Sequence, residues 1–245
     1  MPAHHGDPPP EVSGQAVIIA DFAYPLEVLR RLARSARSLV VLDHHKTVEA
    51  DVVGQPEFEA RFDLNKSGAV LAWEYAFPDR PVPALLQHIQ DGDLWRWELP
   101  RSREVSVALS SYPFDFRVWQ GLDVEQLRQD GEAILRYQTQ QIQRLIERAS
   151  TVELAGHRVP ILNAPVWQSE LGNQLAQGQP FAVLWYQLGD ERVYSLRSTD
   201  EGVDVGALAK SLGGGGHRNA AGFRLSKPAD HPFPASAPQP DAPAE

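Results

Sequence analysis

The 245-residue sequence contains no cysteine, which excludes disulfides, thiolate nucleophiles and cysteine-ligated zinc sites. No apolar run approaches the length of a membrane span, and the first ten residues have no apolar signal core, so we expect a cytoplasmic protein without membrane association. Positive charge is also scarce, because 23 Lys and Arg stand against 32 Asp and Glu, a formal net charge of −9. Binding duplex DNA by bulk charge needs clustered cations, so that class is excluded, whereas capture of a small phosphate ester through metal ions is not.

The first part of the chain predicts a βαβ unit. AVIIAD (16–21) and SLVVLDHH (38–45) are apolar runs of strand length, and PLEVLRRLARSAR (25–37) carries leucines at helical spacing. A strand, a helix and a strand in this order predict parallel strands that are covered on both faces. Helical patterns follow at 67–77 and 83–90.

The rest of the chain divides by composition. Residues 122–150 are polar and favour a long linker helix, with an apolar face that includes Ile134, Ile142 and Leu145. Residues 151–226 alternate strand-like runs with helical candidates, which predicts an α+β domain. Residues 227–245 are rich in proline and alanine, and we expect them to be disordered.

Acidic residues end both predicted strands: Asp21 ends the first, and Asp43, His44 and His45 end the second. The carboxyl ends of neighbouring parallel strands converge on the ligand crevice of an open sheet. Carboxylates and imidazoles gathered there suit manganese, zinc or iron better than magnesium or calcium. The alternative is that both aspartates cap the following helices. Two acids in succession, one of them followed by His-His, favour the metal site.

A later acidic pair, Asp91 and Asp93, lies at the end of a predicted helix in QDGDLWRW (90–97). By itself this pair fits a solvated turn. Trp95 and Trp97 would suit a base-stacking platform. Tryptophans beside a helix end more often pack in a core or between lobes, however, and we favour that interpretation.

The segment GGGGHRNAAGF (213–223) is the second informative stretch. Its glycines allow backbone N–H groups to approach an anion, and His217 and Arg218 can add charge-assisted hydrogen bonds. A glycine run also fits a flexible hinge, but the small residues directly after it indicate a tightly packed backbone. Arg197 and Ser198, at the end of a predicted strand, could supply further phosphate donors; an exposed strand terminus is the alternative, more plausible for Ser198 than for Arg197.

Asp21, the Asp43-His44-His45 triplet, Asp91 and the segment GGGGHRNAAGF together resemble the DHH phosphoesterase superfamily with its C-terminal DHH-associated domain. The resemblance covers roughly residues 15–225. It implies an α/β fold in which a parallel-sheet DHH-type domain (1–121) is joined by a linker helix (122–150) to a smaller α+β DHH-associated domain (151–226) that binds substrate. The superfamily includes RecJ-like exonucleases, oligoribonucleases and cyclic-dinucleotide phosphodiesterases.

The resemblance also implies roles for individual residues. Asp21 matches the aspartate that bridges two metal ions, His44 matches the metal-binding histidine, and Asp43 and His45 match its supports. Asp91 best matches a further metal-binding aspartate, with Asp93 as the rival. The implied catalytic set is therefore Asp21, Asp43, His44, His45 and Asp91, and the implied metal ligands are Asp21, His44 and Asp91. The implied substrate-binding set is Arg197, Ser198, Gly214, Gly215, Gly216, His217 and Arg218.

One motif of the superfamily has no counterpart here. Its members begin with a strand and a histidine followed by Asp-x-Asp, which supplies much of the first metal site, and nothing before Asp21 matches it; His4, His5 and Asp7 are no credible replacement. We therefore expect a first domain that lacks its first βα unit, an incomplete metal site and weak metal binding.

These observations predict a metal-dependent phosphoesterase, expected to use two manganese ions, that hydrolyses short oligonucleotides or small nucleotides. The alternative is a nucleotide- or nucleic-acid-binding member of the superfamily with impaired catalysis. An RNA-binding editing module like those appended to alanyl-tRNA synthetases would share only the second domain, and the intact triplet argues against it. The sequence does not decide whether the chain forms a homodimer.

Overall fold

The computed structural model describes residue 3 and residues 8–226. The chain divides into two compact units, Met1–Gln141 and Ile142–Glu245. The predicted disordered tail at 227–245 and the residues His4, His5 and Asp7 lie outside the described residues. In the described part of the chain, no helix has both the length and the apolar character needed to cross a bilayer.

The first unit contains the predicted parallel sheet. Strands β1 (Ala16–Ala20), β2 (Ser38–Asp43) and β3 (Glu59–Phe62) lie in the order β1-β2-β3, and both pairings are parallel. Helix α1 (Leu26–Ser35) connects the first two strands, as the periodicity predicts. Its buried face, including Leu29, packs into the same apolar cluster as residues of β2.

The prediction that both strands are covered on both faces is wrong for β1. Strand β2 is buried along five of its six residues, whereas Ala16, Ile18 and Ala20 of β1 are exposed, Ile18 by 57%. The physical reason is the place of β1 at the edge of the three-stranded sheet. The faces of parallel strands are buried only where other elements cover them.

Between α1 and residue 147, six helices follow in the described residues, and a one-turn 3₁₀ helix (Lys46–Val48) precedes the first of them. The helix α3 (Gly68–Ala76) begins after Ser67, whose hydroxyl accepts a hydrogen bond from the amide of Val70, as expected of an N-cap. The six are α2 (Glu49–Val52), α3 (Gly68–Ala76), α4 (Ala84–Asp93), α5 (Ser102–Leu109), α6 (Phe116–Trp119) and α7 (Val124–Ile146).

Helix α7 occupies most of the segment predicted as a linker helix, and the boundary between the two units falls within it, after Gln141. The predicted domain boundaries at 121 and 150 stay a prediction. Gly131 lies in the middle of α7, where a Cβ would come within 2.1 Å of the carbonyl oxygen of Glu104 on α5. The glycine therefore allows the two helices to approach closely.

The second unit is a mixed sheet with two helices, which agrees with the predicted α+β class. Among the described strands of this unit, β5 (His157–Asn163) and β6 (Ala182–Leu188) pair in parallel and the other pairs are antiparallel. The core of the unit includes Phe181, Val183, Tyr194 and Leu196. The six strands lie in the order β4-β5-β6-β7-β9-β8. The elements are β4 (Ser150–Leu154), β5 (His157–Asn163), α8 (Gln168–Leu175), β6 (Ala182–Leu188), β7 (Glu191–Arg197), α9 (Val205–Ser211), β8 (Gly215–His217) and β9 (Ala220–Leu225).

Candidate metal centre

Asp21 directly follows β1 and has a left-handed backbone, with φ 59°. Its amide continues the sheet by donating to the carbonyl of Leu42, 2.9 Å away. A non-glycine residue with positive φ is strained, and such strain is typical of functional sites. Gly68, at the start of α3, lies so close that a Cβ there would come within 2.4 Å of the Asp21 Cβ. The site therefore needs a glycine at position 68.

Asp43, the last residue of β2, organises the histidines after it. The buried carboxylate oxygen Oδ1 accepts hydrogen bonds from the His44 amide at 2.7 Å, the His45 amide at 3.2 Å and His45 Nδ1 at 2.7 Å. Burial raises the pKa of Asp43, but the hydrogen bonds and the charge of His45 outweigh it, and the pKa lies below its ordinary value. Asp43 is therefore a carboxylate at neutral pH.

His45 responds to the same carboxylate in the opposite direction. Burial lowers the pKa of its imidazole, but the hydrogen bond and charge of Asp43, helped by Asp21 and Asp93, raise the pKa above the ordinary value. The environment of His45 is thus strongly anionic. A divalent cation would replace the proton that this environment attracts.

His44 is 1% exposed and brings two carboxylates together. Its Nε2 lies 3.1 Å from Asp21 Oδ1 and 3.6 Å from Asp93 Oδ2. Asp93 ends helix α4, so β1, β2 and α4 each contribute a side chain here. We call Asp21, Asp43, His44, His45 and Asp93 the strand-end cluster.

Asp91 has a different environment from Asp93. Its carboxylate is buried and accepts hydrogen bonds from the amides of Glu98 at 3.0 Å and Leu99 at 3.1 Å. Asp93, in contrast, directs Oδ2 to within 3.6 Å of His44 Nε2. The spacing of two residues on a helix turns the two side chains to different faces, so at most one of them can point at the cluster.

The donor set of the strand-end cluster fits a divalent cation. One atom each of Asp21, Asp43 and His45 lies within 4.8 Å of the others. The second carboxylate oxygen of Asp43, Oδ2, is buried and has no hydrogen-bond partner. The pKa of Asp93 is raised by burial and by the like charge of Asp21, although His44 and His45 oppose the shift. An orphaned buried oxygen and two repelling carboxylates are both stabilised by a cation.

The tryptophans after α4 are half-buried and pack against each other. The rings of Trp95 and Trp97 meet edge to face with centroids 5.2 Å apart, and the Arg103 guanidinium lies 4.4 Å from the Trp97 ring centroid. Both tryptophans have positive φ. The loop is closed by the hydrogen bonds to Asp91, which stabilise this strained backbone.

In the second unit, the glycine-rich segment 213–223 contains β8 and most of β9, which pair antiparallel and are joined by a turn at Arg218 and Asn219. We call this segment the glycine-rich turn. A Cβ on Gly214 would come within 2.0 Å of the carbonyl oxygen of Gly222, and one on Gly216, with φ 139°, within 2.5 Å of the Ala220 carbonyl oxygen. The Gly214 amide donates to the carbonyl of Ala209 at the end of α9, 2.8 Å away. These glycines are needed for packing within the unit. Gly215 and His217 are the two ends of β8.

Arg218 and Ser198 also bond within their own unit. The Arg218 guanidinium donates to the carbonyls of Asp200 at 3.1 Å and Gly202 at 3.2 Å. Ser198 is 4% exposed, so the alternative of an exposed strand terminus is wrong for it. Its amide donates to the carbonyl of Asn219. The structure therefore uses both residues to hold the segment after β7 against the glycine-rich turn.

Arg197 ends β7 and reaches the start of α8. Its guanidinium donates to Ser169 Oγ at 2.8 Å and to the Leu196 carbonyl at 2.9 Å. Burial lowers the pKa of Arg197, with Glu170 opposing the shift. A Cβ on Gly172 would come within 2.6 Å of Arg197 Cγ, so a glycine on α8 makes room for this side chain.

The structure brings together four of the five predicted catalytic residues, Asp21, Asp43, His44 and His45, and adds Asp93 to them. The prediction ranks Asp91 above Asp93 from the resemblance alone. It also passed over Gly68, although a Ser-Gly-Ala start to a predicted helix is a recognisable site for close backbone approach.

Three comparisons with known proteins bear on the family. Residues 169–233 match the DHHA1 domain. The chain is 36% identical over 229 residues to the uncharacterized protein R106 of Acanthamoeba polyphaga mimivirus, covering 88% of this chain and 54% of the relative. It is 27% identical over 242 residues to the oligoribonuclease NrnB of Bacillus subtilis, covering 86% of this chain and 59% of the relative.

A crystal structure of an exopolyphosphatase-related protein from Bacteroides fragilis is similar at a TM-score of 0.43 and 12% identity, over 85% of this chain and 65% of that one. That similarity is too low to support an argument. The domain match over residues 169–233 and the oligoribonuclease relative, together with the Asp-His-His triplet, support the resemblance to the DHH phosphoesterase superfamily. The chain spans less than two thirds of the length of both sequence relatives.

Proposed function

We propose that this protein is a manganese-dependent phosphoesterase that hydrolyses short oligonucleotides or small nucleotides. The observation that carries the proposal is the strand-end cluster, in which His44 Nε2 lies within 3.6 Å of carboxylates from two different elements. Carboxylate and imidazole donors together favour manganese, zinc or iron over magnesium and calcium. The resemblance to a metal-dependent superfamily supports the same assignment.

Some residues of the strand-end cluster would bind the ion, and others would orient those ligands. Asp21, His44 and Asp93 are the proposed ligands, because they approach one another from three elements. Asp43 fixes the His44 backbone and the His45 ring through Oδ1, while its Oδ2 is buried without a hydrogen-bond partner. When bound, the metal supplies a hydroxide nucleophile at neutral pH and neutralises charge on the phosphate.

We infer one tightly held ion per chain. Three protein ligands with water suffice for one catalytic metal. A second ion, about 3.5–4 Å from the first, would bring the local charge to about +4 and would need further carboxylates to balance it. The described residues around His44 offer Asp21, Asp43 and Asp93, and Asp43 already accepts three hydrogen bonds through one oxygen.

The proposed substrate class follows from charge and from relatives. A net charge of −9 disfavours binding of long duplexes, and the Bacillus subtilis relative is an oligoribonuclease. We propose that the second unit grips the substrate. We propose that Arg197, Gly215, Gly216 and His217 contribute to phosphate binding there, as the resemblance implies.

The test is hydrolysis of a 5′-phosphorylated diribonucleotide in the presence of manganese, followed by chromatography of the released mononucleotide. We expect turnover that EDTA abolishes and that Asp21→Asn removes. Asp63→Asn is the matched control, because Asp63 follows β3 in the same sheet and its carboxylate only accepts the Asn65 amide at 2.8 Å. Metal-independent binding of the dinucleotide without turnover would contradict the proposal and favour an impaired nucleotide-binding protein.

A further inference from the structure

A buried chain of hydrogen bonds lies behind the strand-end cluster, in the first unit. The Arg128 guanidinium on α7 lies 3.3 Å from His88 Nε2 on α4, and His88 Nδ1 lies 3.0 Å from Ser102 Oγ on α5. Ser102 lies close enough to the Asp91 carboxylate to lower the pKa of that group, and His88 and Asp91 lie three residues apart on α4. His88, Asp91 and Ser102 are each at most 5% exposed. We call Arg128, His88, Ser102 and Asp91 the buried relay.

The chemistry of the donors fixes the direction of the buried relay. A guanidinium has only N–H donors, so His88 Nε2 must accept. The proton of a neutral imidazole then lies on Nδ1 and is donated to Ser102 Oγ, which leaves the Ser102 hydroxyl proton for the Asp91 carboxylate. Burial and the charge of Arg128 lower the pKa of His88, although Asp91 opposes the shift, so the neutral form assumed here is the stable one.

Asp91 connects the buried relay to the loop that follows Asp93. Its carboxylate accepts the amides of Glu98 and Leu99, and its backbone carbonyl accepts the Arg96 amide at 2.9 Å. The side-chain carboxylate and the backbone carbonyl of Asp91 thus both hold the segment 94–99 against the end of α4.

Asp93 is the last residue of α4 and directly precedes this loop. Its Oδ2 is 3.6 Å from His44 Nε2, a separation that a small displacement of the end of α4 would change. Apolar side chains of similar volume could pack between α4, α5 and α7 with equal or greater stability. A fully paired polar chain instead fixes one geometry, as supports behind metal ligands do.

We propose that Ser102 and His88 are positioning residues for the metal centre, acting through Asp91 to hold Asp93 against His44. This inference rests on the proposed function, since it assumes that Asp93 binds the metal. Neither side chain contacts the proposed ligands, so their effect is on the placement of Asp93 and not on the chemistry itself.

The first test measures manganese binding directly, by calorimetry and by the electron paramagnetic resonance of the free ion. We expect Ser102→Ala to weaken manganese binding roughly 10-fold, at the lower end of the 10–100-fold range for loss of such a support. Ser111→Ala is the matched control, because the Ser111 hydroxyl donates only to the nearby Ala108 carbonyl at 2.7 Å. That control should bind manganese like the wild type.

A second pair of variants separates positioning from general stability. His88→Leu retains volume but cannot donate to Ser102, whereas His88→Asn places an amide N–H near the original Nδ1. We expect His88→Leu to lose manganese affinity and His88→Asn to recover most of it. A merely structural role would order the two variants by melting temperature and not by manganese affinity.

The outcomes are distinct. Folded Ser102→Ala and His88→Leu proteins that bind manganese as tightly as the wild type, while Asp93→Asn does not, would overturn the positioning role and leave the proposed function standing. A wild-type chain that binds no manganese would overturn the proposed function, and the positioning role with it. If Ser102→Ala fails to fold, the His88 pair decides alone.

Discussion

The strand-end cluster and the glycine-rich turn are both motifs of polar or small residues, yet the structure uses them differently. In the strand-end cluster, Asp43 Oδ2 is buried without a partner, and the charges of Asp21 and Asp93 repel. In the glycine-rich turn, Arg218 donates to two carbonyls and the Gly214 amide to a third. The first motif keeps unfavourable electrostatics that a ligand would relieve, while much of the second is satisfied by its own fold.

This difference indicates where substitutions should affect binding and where they should affect stability. A buried polar atom without a partner costs free energy, and such sites persist where a ligand compensates. A hydrogen bond made within the fold contributes to stability instead. Variants of the strand-end cluster should therefore lose metal binding with little loss of stability, and variants of the glycine-rich turn should do the reverse.

The largest effect should come from Asp21→Asn. We expect manganese affinity and turnover to fall by about 100-fold or more, equivalent to roughly 3 kcal/mol, because a ligand charge is lost. The melting temperature of the metal-free protein should not fall, since an asparagine tolerates positive φ better than most residues. Calorimetric titration with manganese and thermal denaturation measure the two quantities. An equal loss in Asp63→Asn would show that the effect is not specific to the cluster.

Separate asparagine variants of Asp93 and Asp91 test the comparison within a single helix. Asp93→Asn should abolish tight manganese binding without lowering the melting temperature, because the raised pKa of Asp93 shows that the fold disfavours its charge. Asp91→Asn should lower the free energy of unfolding by about 2 kcal/mol, because it weakens charge-assisted bonds to two amides. Urea denaturation and manganese titration of both variants would decide it. Loss of stability in Asp93→Asn alone would reverse the assignment.

Gly214→Ala should destabilise the second unit by roughly 1–3 kcal/mol, because its Cβ would overlap the carbonyl oxygen of Gly222. Manganese affinity should stay unchanged. Gly213→Ala is the comparison variant: it has positive φ but open space around its Cβ, so strain of about 1 kcal/mol is all we expect. Thermal denaturation of both variants tests the ranking, and an unperturbed Gly214→Ala protein would contradict the packing role.

The smallest effect is a pH dependence from His88. Its pKa lies below the ordinary 6.5, chiefly through burial and then through the charge of Arg128. Below pH 6.5 the unfolded chain binds a proton that the folded chain does not, so stability is full above 6.5 and declines as the pH falls toward the lowered pKa. Denaturation in EDTA at pH 7 and pH 5.5 should show a larger loss for the wild type than for His88→Asn. Identical losses would mean that His88 is not buried as a neutral group.

Most of the first unit's sheet could be predicted from its sequence. The runs 16–21 and 38–45 became β1 and β2 because continuous apolar stretches of that length can be satisfied in a parallel sheet. Strand β3 was not predicted, since its alternation of polar and apolar residues spans only four positions and contains only two apolar residues, Ala60 and Phe62. The exposure of β1 was also missed, because strand order within a sheet is a long-range property.

The sequence by itself determined which residue types stand at the strand ends, and so the chemistry of the strand-end cluster. Only the tertiary structure decided that Asp93 lies 3.6 Å from His44 while Asp91 accepts the Glu98 amide. It also decided that Arg218 donates to carbonyls of its own unit. The reason is physical: periodicity reports the local backbone and its apolar faces, whereas the direction of a polar side chain depends on which partners packing brings within hydrogen-bonding distance. Those partners, such as Glu98 for Asp91 and Gly202 for Arg218, are chosen by the fold.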